Sequence, residues 1–404
     1  MLGPGPGRRR RDHGRAGPRP RDARLSARSA PPPLAPHSTL RSATIAAALW
    51  ACVLAARAYA SRHPAVVEHL YARHLYPAVG RAVSFVTGRL PFSLAEVGVV
   101  VGLLAVLIVF VRLVVTWNRR GRRPLRLRMA RLAAAAAGVV LAFDVLWGFN
   151  YDRQPVSTLL HYDVAPGRPE DLAALARDLI AEASRLREGL PEDEHGVLRL
   201  ADGRSGALGR APLGFAWKTL GQRLPLPAMA GGPKLVLLSP AMSYLGIAGI
   251  FIPFTGEANV NSTLPEWEIP FTAAHELAHQ RGFAREEEAN YVGYLACRAH
   301  PDRDFRYSGV FRASLYALAA LARADREAYG RLRGGLSEAL RRDLAALAAW
   351  NLRYASRLSA VQERVNDTYL KTQGQAQGVQ SYGQVVDLLL AERRTAAAGP
   401  SPSP

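Results

Sequence analysis

The chain has 404 residues, enough for two or three domains, and a formal net charge of +19 at neutral pH. Much of the excess arginine lies in the first 40 residues and in one short stretch after residue 117, so a nucleic-acid-binding protein is not predicted. Cys52 and Cys297 lie in unrelated segments and are not expected to pair. This excludes a disulfide framework and a cysteine-rich zinc site.

Three apolar stretches follow a basic tail in the first part of the chain. Residues 1–40 are mainly Arg, Pro, Gly and Ser and are predicted to be disordered. Transmembrane helices are predicted at 41–60, 97–117 and 132–149, because each stretch is about long enough to cross a bilayer. The first also resembles a signal peptide, since Ala58-Tyr59-Ala60 is a small-residue cleavage pattern, so an anchor and a cleaved signal both stay open.

The positions of the arginines predict the orientation of these spans. The basic tail and the basic loop 118–131 are both expected on the cytoplasmic side. Alternation of three spans then places the loop 61–96 and residues 150–393 outside the cytoplasm. We therefore expect a multi-pass protein of the plasma membrane, with the lipid bilayer as a partner. Asp144, near the end of the third span, is expected to reach the membrane interface.

Residues 150–393 are expected to form an extracytoplasmic α+β domain that is mainly α, followed by a disordered tail at 394–404. Four stretches have a regular pattern: a helix over 169–187, a buried strand over 234–239, a hairpin or extended strand over 244–261, and two or three helices over 305–355. The 250–261 part is a candidate edge strand. Asn259 and Asn261 are then expected to pair with the backbone of a peptide substrate.

The stretch Phe271–Cys297, FTAAHELAHQRGFAREEEANYVGYLAC, carries the candidate chemistry. His275 and His279 are four residues apart, so on a helix both imidazoles leave the same face and can bind one Zn²⁺. Glu276 lies beside the open coordination position and is suited to act as a general base. Gly282 is expected to end this helix, since glycine tolerates the positive φ of a helix C-terminus.

A second helix is predicted from about Arg285, with three glutamates in its first turn. A helix–turn–helix hairpin would return one carboxylate to the metal as the third ligand. The candidates are Glu286, which shares a helix face with Asn290, and Glu288. Asn290 is then placed to hold a ligand by a hydrogen bond. The alternative is a pair of helices that carry solvated charges and no metal.

Several blocks, in order, resemble a bacterial membrane-protein family known as domain of unknown function 3810, whose members are thought to be zinc peptidases. The resemblance covers roughly residues 60–392. It rests on five blocks: PFSLAEV, WGFNYDRQP, YLGIAGIFIPFTGEANVN, HELAHQRGFAREEEANYVGYLAC and GVQSYGQVVDLL. The HExxH segment is also similar to gluzincins, whose third ligand is a Glu four residues before an Asp or Asn. That resemblance implies Glu286 as the ligand and Asn290 as its partner.

The chain departs from the zincin pattern in two ways. Arg281 stands where zincins usually have an apolar residue, and the gap from His279 to Glu286 is shorter than gluzincins normally have, closer to the glycine-turn spacing of metzincins. At the third-ligand position of metzincins this chain has Arg285, which cannot bind a metal. Tyr382, in the last family-like block, is the candidate donor to a transition-state oxyanion, and a core tyrosine is the alternative.

These features predict a membrane-anchored, zinc-dependent hydrolase with a zincin-like domain, most simply a metallopeptidase. It would act on a peptide or protein outside the cytoplasm, with Glu276 taking a proton from zinc-activated water. An amidase or other non-peptide hydrolase would use the same residues. The remaining alternative is a non-catalytic membrane sensor or scaffold with a structural or vestigial zinc site, for which Glu287 and Glu288 supply a nearby fourth ligand.

Overall fold

The computed structural model describes residues 36–117, 123–212, 214–372 and 382–398, together with Gly3 and Gly5. The protein is mainly helical, with one small sheet. The tail predicted to be disordered over 1–40 lies outside the described residues up to residue 35, apart from Gly3 and Gly5. Residues 36–40 are helical, because α1 begins at Pro36.

Helices make up most of the N-terminal, middle and C-terminal parts of the chain. The N-terminal part contains α1 Pro36–Arg62, α2 Pro64–Val66, α3 Tyr76–Thr87, α4 Leu94–Trp117 and α5 Arg123–Leu146. The middle part contains α6 Val156–Leu159, α7 Pro169–Arg187, α8 Gly203–Arg210, α9 Gly214–Gly221, α10 Ser239–Tyr244, α11 Ile269–Gln280 and α12 Glu286–Arg298. The C-terminal part contains α13 Arg303–Ala324, α14 Arg326–Gly334, α15 Glu338–Arg353, α16 Arg357–Thr372 and α17 Tyr382–Ala398. Val67–Leu75 forms a π-helix, and Gly148–Asp152 and Glu266–Glu268 form 3-10 helices.

Helices α1, α4 and α5 are long and apolar enough to cross a membrane, over Leu40–Arg62, Leu94–Arg112 and Leu127–Leu146. The third stretch ends earlier than predicted, since α5 stops at Leu146. Helices α1 and α5 pack against each other, whereas only 6% of the apolar stretch of α4 is buried. In a bilayer, lipid would cover the exposed apolar side chains of α4.

Asp144 forms an ion pair between α1 and α5. This carboxylate is 1% exposed and receives two hydrogen bonds from the Arg57 guanidinium, at 2.8 Å from Nε and 2.7 Å from Nη2. Asp144 therefore joins two apolar helices, because a buried charge is stable only when it is paired. Whether it lies at a membrane interface stays a prediction.

The segment 61–96, which connects α1 to α4, is mostly helical. Its Val67, Tyr71 and Tyr76 pack with Trp147 and Tyr151, the residues that follow α5, in a second apolar cluster. The segment is folded because these aromatic side chains gain more by burial here than a solvated loop would allow.

A buried ion pair fastens this segment to the domain that follows. Glu68 accepts hydrogen bonds from Nε and Nη2 of Arg153 at 2.9 and 3.1 Å, and the Arg153 side chain is 1% exposed. Arg153 also donates to the carbonyl of Gly282 at 3.0 Å. The pair thus connects the membrane-proximal segment to the turn after α11.

We expect Arg153→Met to destabilise the protein by about 3 kcal/mol, because it leaves the Glu68 carboxylate buried with only the half-exposed Arg73 as a partner. Thermal unfolding of the detergent-solubilised protein should show a midpoint several degrees lower. The double variant Glu68→Met/Arg153→Met should recover part of that loss, since no buried charge is stranded. A double variant less stable than Arg153→Met would contradict this account.

The sheet has three strands, β1 Lys234–Val236, β2 Gly249–Ile252 and β3 Glu257–Asn261, in the order β1-β3-β2. β3 is parallel to β1 and antiparallel to β2. The predicted hairpin over 244–261 is therefore confirmed, as β2 and β3. The predicted strand over 234–239 is shorter, since α10 begins at Ser239.

A buried carboxylate attaches the sheet to the start of α4. Glu257 accepts hydrogen bonds from the backbone N–H groups of Leu94 and Ala95, at 3.0 and 2.7 Å, and from Lys234 Nζ at 2.6 Å. A carboxylate at a helix N-terminus satisfies free N–H groups and interacts favourably with the helix dipole. The small sheet is consequently held against the end of a candidate membrane span.

The C-terminal helices surround the main core, where α13 packs on α7 and α12. Helix α7 has the predicted bounds, and the predicted break near Gly334 separates α14 from α15. Helix α17 extends to Ala398, so the tail predicted to be disordered from residue 394 is helical over its first residues. Arg394 of α17 donates to the carbonyl of Ala165 at 3.1 Å, which holds this end in place.

Candidate metal centre

Helices α11 and α12 form a hairpin around a glycine turn, as the sequence predicts. Gly282 has a φ of 88°, its N–H donates to His279 O at 2.8 Å, and the N–H of Phe283 donates to Ala278 O at 3.2 Å. This pair of bonds is the Schellman pattern, in which the left-handed residue is nearly always glycine. The turn brings the first residue of α12 back to the last turns of α11.

The hairpin brings His275, His279 and Glu286 together, with one ligand atom of each within 4.8 Å of the others. The Glu286 carboxylate lies 3.4 Å from His275 Nε2 and 3.6 Å from His279 Nε2. Ligands about 2.1 Å from a tetrahedral ion lie about 3.4 Å apart, so both separations suit a single metal ion. Two imidazole nitrogens and one carboxylate oxygen are also a donor set that suits Zn²⁺.

Hydrogen bonds orient two members of this group. His279 Nδ1 lies 2.7 Å from Phe283 O, so Nδ1 carries the proton and Nε2 presents its lone pair to the cluster. Burial opposes protonation of His275, but Glu286, the charge of Glu276 and a hydrogen bond with the Asn290 side chain outweigh it and raise the pKa of that imidazole. The side-chain oxygen of Asn290 accepts a hydrogen bond from the Tyr316 hydroxyl at 3.0 Å. Asn290 is therefore positioned beside a ligand, and Tyr316 in turn fixes Asn290.

Burial and the charges within the site shift the pKa values of its residues in different directions. Burial lowers the pKa of His279 to about 4, so this imidazole is neutral and able to bind a metal at pH 7. Burial opposes ionisation of Glu286, but the charges of His279 and His275 outweigh it and lower its pKa to about 2. Burial raises the pKa of Glu276 to about 8, although His275 acts in the opposite direction. A group poised near neutral pH is suited to proton transfer.

Glu276 lies between α11 and the edge of the sheet. It is 3% exposed, its Oε2 has no hydrogen-bond partner in the described part of the chain, and the backbone N–H of Phe251 interacts with its carboxylate. A Cβ atom at Gly249 would stand 2.5 Å from Oε1 of Glu276 and 2.8 Å from its Cγ. Glycine at position 249 therefore leaves the space that the carboxylate occupies.

If Glu276 is the base of a hydrolase, Gly249→Ala should displace its carboxylate and lower kcat by roughly tenfold to a hundredfold, because misplacing a catalytic group by about 1 Å has that effect. A metal held by His275, His279 and Glu286 should be retained, since the nearest atoms to a Cβ at position 249 belong to Glu276, which is not one of these three. Gly330→Ala is the matched control, because a Cβ at that position in α14 meets no atom within 4 Å. Steady-state hydrolysis and metal content measure both effects, and an unchanged kcat in Gly249→Ala would exclude this role.

The raised pKa of Glu276 predicts a pH dependence of stability in the metal-free protein. Between the ordinary value of 4.5 and about 8, the folded chain holds a proton that the unfolded chain has lost. Stability should therefore fall as pH rises through this window, by on the order of 1 kcal/mol per pH unit. The unfolding midpoint of the metal-free wild type relative to Glu276→Gln should decline from pH 5 to pH 8. A constant difference would contradict the raised pKa.

Glu288, the alternative third ligand, is not among the residues that meet at the cluster. Its Oε1 accepts hydrogen bonds from the backbone N–H of Val156 at 2.9 Å and from Nη1 of Arg285 at 2.8 Å. Although it lies in the same turn of α12 as Glu286, its carboxylate holds the start of α6. The structure thus places Glu286, rather than Glu288, beside the histidines.

Asn259 and Asn261 do not lie where the sequence predicted. Both are on β3, the central strand, and are 2% and 0% exposed. Asn259 donates to the carbonyls of Ile250 and Glu257, and Asn261 donates to Ser243 Oγ and to the carbonyl of Ile247. Their amides bind the protein itself, so the prediction that they contact substrate is corrected. The edge strand next to the cluster is β2.

Arg281 and Arg285 both have partners within the protein. Arg281 is buried, with its guanidinium 3.9 Å from the centroid of the Trp217 ring and a hydrogen bond to Leu277 O at 3.0 Å. Arg285 donates to Glu288 and to the carbonyls of Tyr151 and Arg153, so it joins α12 to the chain after α5. Tyr382 is the first residue of α17, and its side chain lies outside the described part of the structure.

Several contributors to the site were not identified from the sequence. Trp147 donates from Nε1 to His279 O at 3.2 Å, and its ring lies 5.9 Å from the His279 ring. Tyr316, Phe283 and Gly249 act on Asn290, His279 and Glu276 respectively. Trp147 and Gly249 lie in the family-like blocks WGFNYDRQP and YLGIAGIFIPFTGEANVN. Their place in these blocks is the sequence feature that could have identified them. Phe283 acts through its backbone, and nothing singles out Tyr316.

The family model described as "Protein of unknown function (DUF3810)" matches residues 71–390, well over half of the chain. The chain belongs to this family. The matched region of the DUF3810 protein contains the sheet and both helices of the cluster of His275, His279 and Glu286. No curated protein and no solved structure matches the chain.

Proposed function

We propose that this protein is a membrane-anchored, zinc-dependent hydrolase with a zincin-like domain, and that it is a peptidase. The observation that carries the proposal is the meeting of His275, His279 and Glu286 with the poised carboxylate of Glu276 beside them. In this proposal the first three side chains hold Zn²⁺ and Glu276 stays free of it.

When bound at this position, zinc supplies a Lewis acid that polarises the scissile carbonyl and lowers the pKa of a water molecule to about 7. Glu276 accepts a proton from the attacking water and passes it to the leaving amine. The carbonyl of Phe283 keeps His279 in one tautomer, and the Tyr316–Asn290 bond supports His275 from the other side. Within the described residues the edge of β2 that faces away from β3 pairs with no other strand, and it suits the alignment of an extended peptide beside Glu276.

The ligand count supports a catalytic site over a structural one. Structural zinc sites are normally closed by four protein ligands. In the described part of the chain the cluster has three His, Cys, Asp or Glu members, and Glu287 and Glu288 are not among them. A site with three protein ligands and an adjacent buried carboxylate is suited to hydrolysis.

The proposed setting is the plasma membrane, with α1, α4 and α5 as spans and the metal cluster outside the cytoplasm. The C-terminal end of α1, the N-terminal end of α4 and the C-terminal end of α5 all adjoin the folded domain. Three spans that alternate in direction would place those three ends on one side of a bilayer. The arginines near the opposite ends favour the cytoplasm for that other side.

The deciding experiment measures zinc and hydrolysis together in the full-length protein purified in detergent. About one zinc per chain and release of peptides from casein, abolished by a chelator and restored by zinc, are expected. A preparation that contains no zinc and cannot be loaded with it would reject the hydrolase. Zinc that binds and resists exchange, with no turnover of casein or of peptidoglycan peptides, would favour the sensor or scaffold.

A further inference from the structure

The free edge of the small sheet lies directly beside the metal cluster. Within the described residues β2 pairs with β3 alone, and Ala248 O accepts from Asn261 N–H at 2.9 Å. Because antiparallel strands alternate their bonding, the backbone groups of Gly249 and Phe251 point away from β3. These are the two residues that approach Glu276. A peptide that added to this edge would therefore pass across the proposed general base.

The same edge leads to the end of a candidate membrane span. Trp147, the first residue after α5, donates to His279 O, and its ring lies 5.6 Å from the ring of Phe251. At the far end of β2, the ring of Phe254 lies 6.5 Å from that of Phe143, in the last turn of α5. The strand thus connects the metal cluster with the point where α5 ends.

Two apolar side chains are exposed between the cluster and the end of α5. Ile250 and Phe254 are 39% and 49% exposed. Ile250 shares a face of the sheet with Glu257, which binds the first N–H groups of α4. Exposed apolar residues between two span ends fit a surface that contacts the bilayer or a chain emerging from it.

We propose that the substrate is an extended polypeptide that is itself anchored in the bilayer and is cut close to its anchor. This inference rests on the proposed function and on the three proposed spans. From Gly249 to Phe254 an extended chain covers about 17 Å, at about 3.3 Å per residue. A chain that leaves the bilayer beside α5 and pairs with β2 therefore presents a bond within roughly ten residues of its anchor to Glu276.

The test compares one peptide mixture of randomised sequence in three forms, free in solution, linked to a Leu/Ala membrane span, and linked to a diacyl lipid. Full-length protein is reconstituted in vesicles of phosphatidylethanolamine and phosphatidylglycerol, and initial cleavage rates are measured at equal peptide loading. We expect at least one anchored form to be cut tenfold or more faster than the free form. Mass spectrometry should place its cuts within roughly ten residues of the anchor. Preference for the span or for the lipid distinguishes a membrane protein from a lipid-linked peptide as the substrate.

Two variants connect this preference to the structure. Phe254→Glu should lower the ratio of anchored to free cleavage at least fivefold, since it puts a charge between β2 and the end of α5. Phe254→Ser, which adds no charge, should lower this ratio less. Val164→Glu is the matched control, because Val164 is an apolar residue of similar exposure, 42%, in the segment before α7. Metal content and unfolding midpoint establish that each variant is folded.

A second readout does not depend on turnover. In a Cys52→Ala background, Phe254→Cys labelled with a fluorophore should be quenched by spin-labelled lipid more strongly than Val164→Cys. The remaining Cys297 is buried. Equal cleavage of free and anchored peptides, or a Phe254 label that lipid does not quench, would overturn the inference and leave the hydrolase intact. No cleavage of any peptide by zinc-loaded protein would instead reject the proposed function.

Discussion

Replacing His279 with alanine should abolish stoichiometric zinc binding. The side chain is buried, its Nε2 faces Glu286 at 3.6 Å, and its tautomer is fixed by Phe283 O. Loss of a hydrogen-bond partner of a ligand typically costs 10–100-fold in metal affinity, so loss of the ligand itself should cost more than about a hundredfold. Metal analysis of the dialysed protein, together with competition against a zinc-sensitive dye, measures the change.

His195→Ala is the matched control for that variant. His195 is also a histidine, but its side chain is 78% exposed and lies outside the cluster. Its zinc content should equal that of the wild type. Retention of one tightly bound zinc per chain by His279→Ala would mean that the metal is held elsewhere.

The same assay separates the two glutamates that the sequence left open as third ligand. Glu286→Gln should lose zinc, because its carboxylate is the one that meets both histidines. Glu288→Gln should keep zinc and lower the unfolding midpoint, because its carboxylate binds Val156 N–H and Arg285. The reverse result would reassign the ligand.

The sequence was sufficient for features that depend on neighbours along the chain. The i,i+4 spacing of His275 and His279 and the glycine at 282 are local, and together they predicted the hairpin that forms. The length and apolarity of α1, α4 and α5 are also local properties. Each of these predictions needed only helix geometry and composition.

Features that depend on distant partners were predicted less well. Asn259 and Asn261 were predicted to lie on an edge strand. The residue pattern of β3 does not show whether a further strand, here β1, pairs with it on the side away from β2. The ion pair of Asp144 was not predicted, because its partner, Arg57, is 87 residues away. The packing of the aromatic side chains in 67–76 was not predicted either, since the residues that bury them lie after α5.

The choice between Glu286 and Glu288 shows the same limit within one helical turn. Both carboxylates leave the start of α12, and helix periodicity alone cannot assign one to the metal. The assignment depends on Val156, which follows α5 and offers a free backbone N–H to Glu288. That contact joins residues 132 positions apart, so no local pattern contains it.

Glu276→Gln is expected to keep its zinc and to lose catalysis. The amide has nearly the same shape as the carboxylate, and Glu276 is not among the three residues that meet as ligands. It cannot accept the proton of the attacking water, and general-base catalysis contributes about 10²–10⁴-fold. We therefore expect kcat to fall by about a thousandfold while KM changes little, because the free edge of β2 that aligns the peptide is unaltered.

This variant distinguishes a catalytic role of Glu276 from a structural one. A wild-type zinc content, and an unchanged unfolding midpoint of the metal-free protein at pH 5, where burial keeps the wild-type carboxyl protonated, would show that the fold survives the substitution. The residual activity of Glu276→Gln should also lose the pH dependence that a general base imparts. If Glu276→Gln loses zinc, Glu276 is a ligand; if it keeps both zinc and full activity, another group is the base. The geometry of α11 and β2 predicts loss of turnover with zinc retained. Gly249 leaves space for the Glu276 carboxylate and the Phe251 N–H bonds to it, so the carboxylate lies beside the three ligands and is not one of them.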